Sequence, residues 1–205
     1  MINPEPVVQE NPSEESEASR RWEILETIRT LALAVMFYAL INLTTVRVVV
    51  DGPSMRPTLI SGEWIIINRL AYRLGSPQRG DVIIFLPPTN AQTDDLIKRI
   101  VGLPGERLEI RGGSVFVNGE MLSESYAKGK AYPDNVWTLA SDQLFVMGDN
   151  RELSLDSRSF GPISLSAVVG KSLVIIWPPA EWGPLDWRSN GDSMVEPASG
   201  MVFGT

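Results

Sequence analysis

The chain has 205 residues, 43% of them hydrophobic and 21% charged, enough for one domain of ordinary size with short appendages. Its net charge of −7, with no basic stripe, argues against a nucleic-acid partner. With no cysteine and no histidine it has no disulfide, no thiolate site, no Ser-His-Asp or Cys-His catalysis and none of the commonest metal ligand, so no cofactor is expected; an all-oxygen magnesium or calcium site is the one metal class left open.

Residues 1–21 mix Pro4, Pro6 and Pro12 with Glu5, Glu10, Glu14, Glu15 and Glu17, too little apolar surface to order itself, and read as a disordered acidic tail. The pattern changes at Trp22. No charged residue lies between Arg29 and Arg47, and Thr30 to Val46 is rich in Leu, Ala and Val. At ~1.5 Å per residue the uncharged run spans about 25 Å, which snorkelling arginines and Trp22 extend toward the ~30 Å hydrocarbon core. A single transmembrane helix over 22–46 is therefore predicted. A buried core helix or a cleaved export signal after Arg20 and Arg21 would share this composition, but no small-x-small site follows the run. Arg20, Arg21 and Arg29 against Arg47 and Arg56 tilt the charge balance slightly toward a cytoplasmic N-terminus.

From residue 47 to 183 the chain reads as a mainly β domain. Strands are predicted at Arg47 to Val50, Trp64 to Arg69, Asp81 to Leu86, Leu96 to Val101, Arg107 to Ile110, Ser114 to Val117, Gln143 to Met147 and Ser172 to Trp177, with a Gly112-Gly113 hairpin between two of them. Helical period is confined to Ser164 to Val169, and Ser123 to Asp142 reads as a loop. After Pro178-Pro179 the strand signals stop, and 184–205 is expected as a polar tail.

The stretch Asp51-Gly-Pro-Ser-Met-Arg-Pro-Thr-Leu59 places Ser54 in a rigid turn, because Gly52 opens unusual backbone angles and Pro53 and Pro57 restrict their surroundings. A catalytic serine requires a base, and without histidine that base is a lysine acting in its neutral form. The only lysines are Lys98, Lys128, Lys130 and Lys171. In Leu96-Ile-Lys-Arg-Ile-Val101 the strand period sets Lys98 between Leu96 and Ile100, and desolvation among aliphatic side chains lowers a lysine pKa. A fall from ~10.4 to about 8 corresponds to roughly 3 kcal/mol, within reach of burial. Taken alone, Lys98 reads equally as a lysine that protects a strand edge.

Four ordered boxes add to this: Ser54-Met-Arg-Pro-Thr-Leu59; Arg79-Gly-Asp-Val82; Lys98-Arg-Ile-Val-Gly-Leu-Pro-Gly-Glu106; and Gly148-Asp-Asn-Arg151 with Asp156-Ser-Arg158. Together they resemble the type I signal peptidases, from the membrane segment to about Gly161. The resemblance implies a membrane-anchored Ser-Lys protease in a bacterial cytoplasmic or thylakoid-type membrane. Its β catalytic domain would lie outside the cytoplasm and remove signal peptides from exported preproteins, so the implied partners are those signal peptides and membrane lipid. Position by position, Ser54 resembles the nucleophile and Lys98 the general base. Ser154 resembles the serine that orients the lysine amine, and Asp149, Arg99, Asp156 and Arg158 resemble residues that brace the site through ion pairs. The Ser54 backbone N–H is one oxyanion donor. Some family members carry a serine at the position of Gly52, so the Gly52 amide is the expected second donor here. Substrates of the family carry small residues near the cut, which points to shallow apolar pockets at Val50, Met55 and Ile97 for an extended peptide.

Three other motifs are set aside. Ser125-Tyr-Ala-Lys128 has the Ser-x-x-Lys form but no helical period and none of its companion motifs. Gly170-Lys-Ser172 lacks the earlier glycine of a phosphate loop, and Gly191-Asp-Ser-Met194 lacks the Pro-Thr that follows Met55-Arg56. A self-cleaving repressor with the same dyad would need a helix-turn-helix where the apolar segment stands. A membrane-tethered peptide-binding β domain remains the non-enzyme alternative.

Overall fold

The computed structural model describes residues 12–88 and 95–185. The expected tails at 1–11 and 186–205, and the Gly191–Met194 motif, lie outside the described residues. The chain divides into two compact units, Met1–Thr44 and Thr45–Thr205.

The first unit is one helix, α1 (Pro12–Thr44). It starts earlier than expected, so residues 12–21 are helical rather than disordered. Its segment Arg20–Thr44, 25 residues or about 37 Å at ~1.5 Å per residue, is long and apolar enough to cross a bilayer. Leu31, Leu33, Val35, Met36, Phe37 and Leu40 are all exposed around it. Its polar residues are satisfied internally: the Thr30 and Thr44 hydroxyls and the Asn42 amide donate to carbonyls four residues earlier, at 2.8–2.9 Å for Thr27 and the others.

The second unit is mainly β. In chain order it contains β1 (Thr45–Val49), β2 (Trp64–Asn68), the short helix α2 (Ala71–Leu74), β3 (Val82–Phe85), β4 (Leu96–Gly102) and β5 (Arg107–Arg111). β6 (Ser114–Val117), β7 (Glu120–Met121), β8 (Asn135–Thr138), β9 (Gln143–Met147) and α3 (Ser157–Phe160) follow, then β10 (Ile163–Ser164), β11 (Val168–Trp177) and β12 (Gly183–Pro184). The large sheet has the order β1-β2-β11-β3-β4-β9-β10, with β12 on β11; the smaller has the order β7-β6-β5-β8. Every pairing between these strands is antiparallel, and one isolated parallel bridge joins Lys128 to Asn150.

Burial follows the two-residue period. On β3, Val82 and Ile84 face a cluster containing Val50, Met55, Leu59 and Ile65, whereas Ile83 and Phe85 face another with Ile100, Leu144 and Val146. That is why Val82-Ile-Ile-Phe85 is apolar without alternation: both faces of this strand are covered. A third cluster, from Val101 and Phe145 to Leu108 and Val117, joins the two sheets. Each fully buried Ile, Leu or Phe contributes about 1.5–3 kcal/mol.

Three local expectations change. Ser164 to Val169 is not a regular helix: Leu165–Ala167 forms a single 3-10 turn capped by the Ser164 hydroxyl, and β11 begins at Val168. The presumed loop at 123–142 contains β8, whose exposed polar positions hid a strand that pairs with β5. The strand signals also continue past Pro178, because Gly183–Pro184 pairs with β11 and Leu185 is buried against Ile65 and Ile175. A proline is tolerated there because β12 is an edge strand.

Candidate active site

The Ser54 turn is closed from both ends. The Val50 N–H donates to the Glu63 carbonyl at 2.8 Å and the Gly62 N–H to the Val50 carbonyl at 2.9 Å, which fixes where the chain leaves β1 and re-enters β2. Gly52 has φ +87°, a conformation that disfavours any side chain and aims the chain into the turn. Met55 and Leu59 are buried anchors on its inner side, and the Leu59 N–H bonds the Met55 carbonyl at 2.9 Å. The Ser54 carbonyl accepts from the Asn150 N–H at 2.9 Å, tying the first box to the last.

Lys98 reaches this turn from β4. Its Nζ lies 2.8 Å from Ser54 Oγ and donates to the Ile97 carbonyl at 2.8 Å. The side chain is 3% exposed. Burial lowers its pKa to about 8, with the negative charges of Asp156 and Asp149 working in the opposite direction. Near pH 8 a large fraction of the amine is therefore neutral, and its lone pair can take the Ser54 hydroxyl proton across the existing contact.

A buried ionic frame holds the strands behind this pair. Arg99 Nε and Nη2 donate to the two carboxylate oxygens of Asp149 at 2.8 Å each, and Nη1 donates to the Gly80 carbonyl at 2.8 Å. Asp156 accepts from the Gly148 N–H at 3.0 Å and from Arg158 Nε and Nη2 at 2.8 Å. Arg158 Nη2 also donates to the Arg151 carbonyl at 2.7 Å. All four residues expected to brace the site thus come together around residues 148–158.

Ser154 is placed differently from its expected role. Its hydroxyl is buried and has no hydrogen-bond partner, Lys98 included. It packs against Gly148: a Cβ built on that glycine would stand 2.2 Å from Ser154 Oγ and 2.6 Å from the Ser54 carbonyl oxygen. The backbone of Gly148 therefore closes over both serines.

Val50, Met55 and Ile97 line a cleft of about 130 Å³ together with Gly52, Ser54 and Lys98. Val50 and Met55 are 2% and 1% exposed, so they form its floor. Asp51 and Asp95 also line it, adding negative charge that the search for small apolar pockets did not anticipate.

Sequence reasoning missed one part of the frame. The ring of Tyr126 lies under the Arg99 guanidinium, 4.1 Å from carbon to centroid, and Glu124 holds Arg151 through bonds of 2.6 and 2.9 Å. Burial foremost, then the Glu124 charge, pushes the Tyr126 pKa up and keeps the phenol neutral. The tetrapeptide Ser125–Lys128, set aside as a chance match, is thus structural: the Lys128 N–H donates to the Asp149 carbonyl at 2.7 Å and the Arg151 N–H to the Lys128 carbonyl at 2.9 Å. Charge complementarity between Glu124 and Arg151 was the only signal, and their separation in the chain concealed it.

A serine and a buried lysine in contact on a mainly β scaffold suit a serine endopeptidase. The family model for signal peptidase, peptidase S26, matches residues 22–177. The chain belongs to that family and is a serine endopeptidase of the signal peptidase type. Similar proteins include a probable signal peptidase I-2 of Synechocystis sp., 38% identical over 134 residues, which are 63% of this chain and 62% of that protein. Signal peptidase I of Leptolyngbya laminosa is 32% identical over 79% of this chain and 84% of its own length. Signal peptidase IB of Staphylococcus aureus is 32% identical over 78% of this chain and 93% of its own. A crystal structure of a signal peptidase I from Enterococcus faecalis is 33% identical and covers 47% of this chain and 97% of that one, with a TM-score of 0.42. The family and the apolar helix at Arg20–Thr44 fit a single-pass membrane protein.

Proposed function

We propose that this signal peptidase cuts signal peptides from exported preproteins after small residues, with Ser54 as nucleophile and Lys98 as general base. The observation that carries the assignment is the 2.8 Å contact between Lys98 Nζ and Ser54 Oγ at a buried amine whose pKa lies near 8. Ser54 attacks the scissile carbonyl as Lys98 takes its proton; the protonated amine then donates to the leaving amine, and an acyl-enzyme remains. The same amine, neutral again, activates the water that releases the acyl group. The backbone N–H groups of Ser54 and Gly52 serve as oxyanion donors. Val50, Met55 and Ile97 read the small side chains of an extended peptide, and the shallow cleft supports this reading. Asp149, Arg99, Asp156 and Arg158 brace β4 against the segment 148–158, and Ser154 packs against Gly148. The helix before Thr45 anchors the enzyme, with the β domain on the extracytoplasmic face of a bacterial cytoplasmic or thylakoid-type membrane.

The test is to incubate detergent-solubilised full-length protein with a preprotein. Wild type releases the signal peptide, whereas Ser54→Ala and Lys98→Ala, each with unchanged circular dichroism, release none. Processing by either folded variant at near wild-type rate removes the assignment, and intact preprotein retained by the wild type would favour a peptide-binding domain instead.

A further inference from the structure

The second unit carries a cavity of about 380 Å³ beside α2 that shares no lining residue with the cleft at Ser54. It is lined by Arg69, Tyr72, Arg73, Ser166, Val168 and Val169 among others. Arg69 and Arg73 are exposed, and neither makes an ion pair or hydrogen bond among the described residues, whereas the other basic group beside it, Lys171, is held by Asp81 at 2.6 Å. Two uncompensated guanidiniums four residues apart at one cavity stand out in a chain of net charge −7. Each guanidinium is a planar fork of N–H donors that matches a phosphate group. Leu165, Val168 and Val169 make part of the lining apolar, and Ser166 adds a hydroxyl, whereas the Tyr72 hydroxyl is already bonded to Asp81 at 2.7 Å. A ligand that fits both parts of this lining carries a phosphate joined to a short hydrocarbon portion.

The position of the cavity in the sheet selects the source of that phosphate. Thr45 on β1 is in register with Asn68 on β2, and Arg69 follows Asn68 directly. Thr45 is joined by one peptide bond to Thr44, the last residue of the apolar helix. Chain connectivity and register thus put Arg69 beside the point where the apolar helix ends in the chain. We propose that Arg69 and Arg73 form a headgroup site for an anionic phospholipid, the guanidiniums taking the phosphate and the Leu165–Val168–Val169 wall taking the glycerol and first methylenes. The site would hold this end of the domain to the membrane independently of catalysis.

Native mass spectrometry of the full-length protein in detergent, titrated with phosphatidylglycerol, tests this. Wild type and the inactive Ser54→Ala protein should each retain phosphatidylglycerol with the same affinity, so that failure of the peptidase assignment leaves this result untouched. Arg69→Ala/Arg73→Ala should bind it about thirtyfold more weakly, from two arginines near a membrane surface. The control pair Arg107→Ala/Arg111→Ala, on β5, should not change it. Both target arginines are exposed, and unchanged cleavage of a soluble peptide by the double variant verifies its fold. Equal retention by wild type and the double variant overturns the proposal. So does inorganic phosphate competing as strongly as the lipid, which would mark a soluble-anion site. Absence of retention by wild type also overturns it.

Discussion

Asp149 holds the Arg99 guanidinium through two parallel bonds of 2.8 Å, and Arg99 is the strand neighbour of Lys98. The pair is almost fully buried, with side-chain exposures of 6% and 1%. Breaking one partner of such a pair leaves the other charge without compensation and costs about 3–5 kcal/mol. Asp149→Asn should therefore lower the denaturant midpoint markedly. Arg99→Lys keeps the charge but loses the fork and the stacking on Tyr126, so it should also destabilise, though less. A midpoint unchanged in both variants would show that the frame does not support the fold.

Gly148 provides a sharper test of how the last box meets the Ser54 turn. A methyl group there would meet Ser154 Cβ at 2.5 Å and the Ser54 carbonyl oxygen at 2.6 Å, and the latter is backbone that cannot rotate away. Gly148→Ala should cost about 1–3 kcal/mol through overpacking and reduce kcat by displacing Ser54. Adding Ser154→Gly relieves one of the two collisions, so the double variant should regain stability but not the full rate. Complete recovery of rate would show that Ser154 alone, and not the Ser54 backbone, is displaced.

How much of this was legible in the sequence divides along physical lines. Strands with strict alternation or bounded by glycine turns, such as Arg107–Arg111 and Ser114–Val117, could be read locally, and so could the nucleophile turn and the elimination that leaves lysine as base. The pieces set by partners far along the chain could not. Nothing local in Glu124 or Tyr126 signals that they meet Arg151 and Arg99, and β8 and β12 are strands only because β5 and β11 offer them an edge. The helical backbone over 12–21 was not legible either, because a stretch rich in proline and glutamate has the composition of a disordered tail. The expected Ser154 bond came from resemblance, and the buried hydroxyl makes no such bond.

The proposed role requires the domain after Thr45 to lie outside the cytoplasm. Protease added to spheroplasts should degrade the domain after Thr45 and leave a short protected fragment containing Arg20–Thr44. A domain that stays intact until lysis would place it on the cytoplasmic side.

The pH dependence of kcat/KM should report the Lys98 amine. The neutral form is the base, so activity is low where the amine is charged, rises through a pKa near 8 and levels above it. Initial rates with a short peptide substrate between pH 6 and 10, a span of roughly two units either side, would show this limb. A profile that is flat across that range, in a protein whose Lys98→Ala variant is inactive, would separate the lysine from the titrating base.

The same depressed pKa carries a stability consequence of definite sign. In the unfolded chain Lys98 titrates near its ordinary value of 10.5, and in the folded protein near 8, so between those limits the unfolded state binds more protons. Stability therefore rises with pH across that window, and below pH 8 the native state carries the full cost of a buried ammonium, about 3 kcal/mol for a shift of this size. Lys98→Met keeps the length and apolar stem of the side chain and removes the charge. It should be more stable than wild type at pH 7 by up to about 3 kcal/mol, with the difference falling to about 0.4 kcal/mol near pH 10.5. Urea unfolding of both proteins at matched pH values measures it. A Lys98→Met variant less stable than wild type at pH 7, or a difference that does not shrink with rising pH, would mean that the amine contributes bonding in its charged form that outweighs its burial, and that the site favours the ammonium rather than the free base.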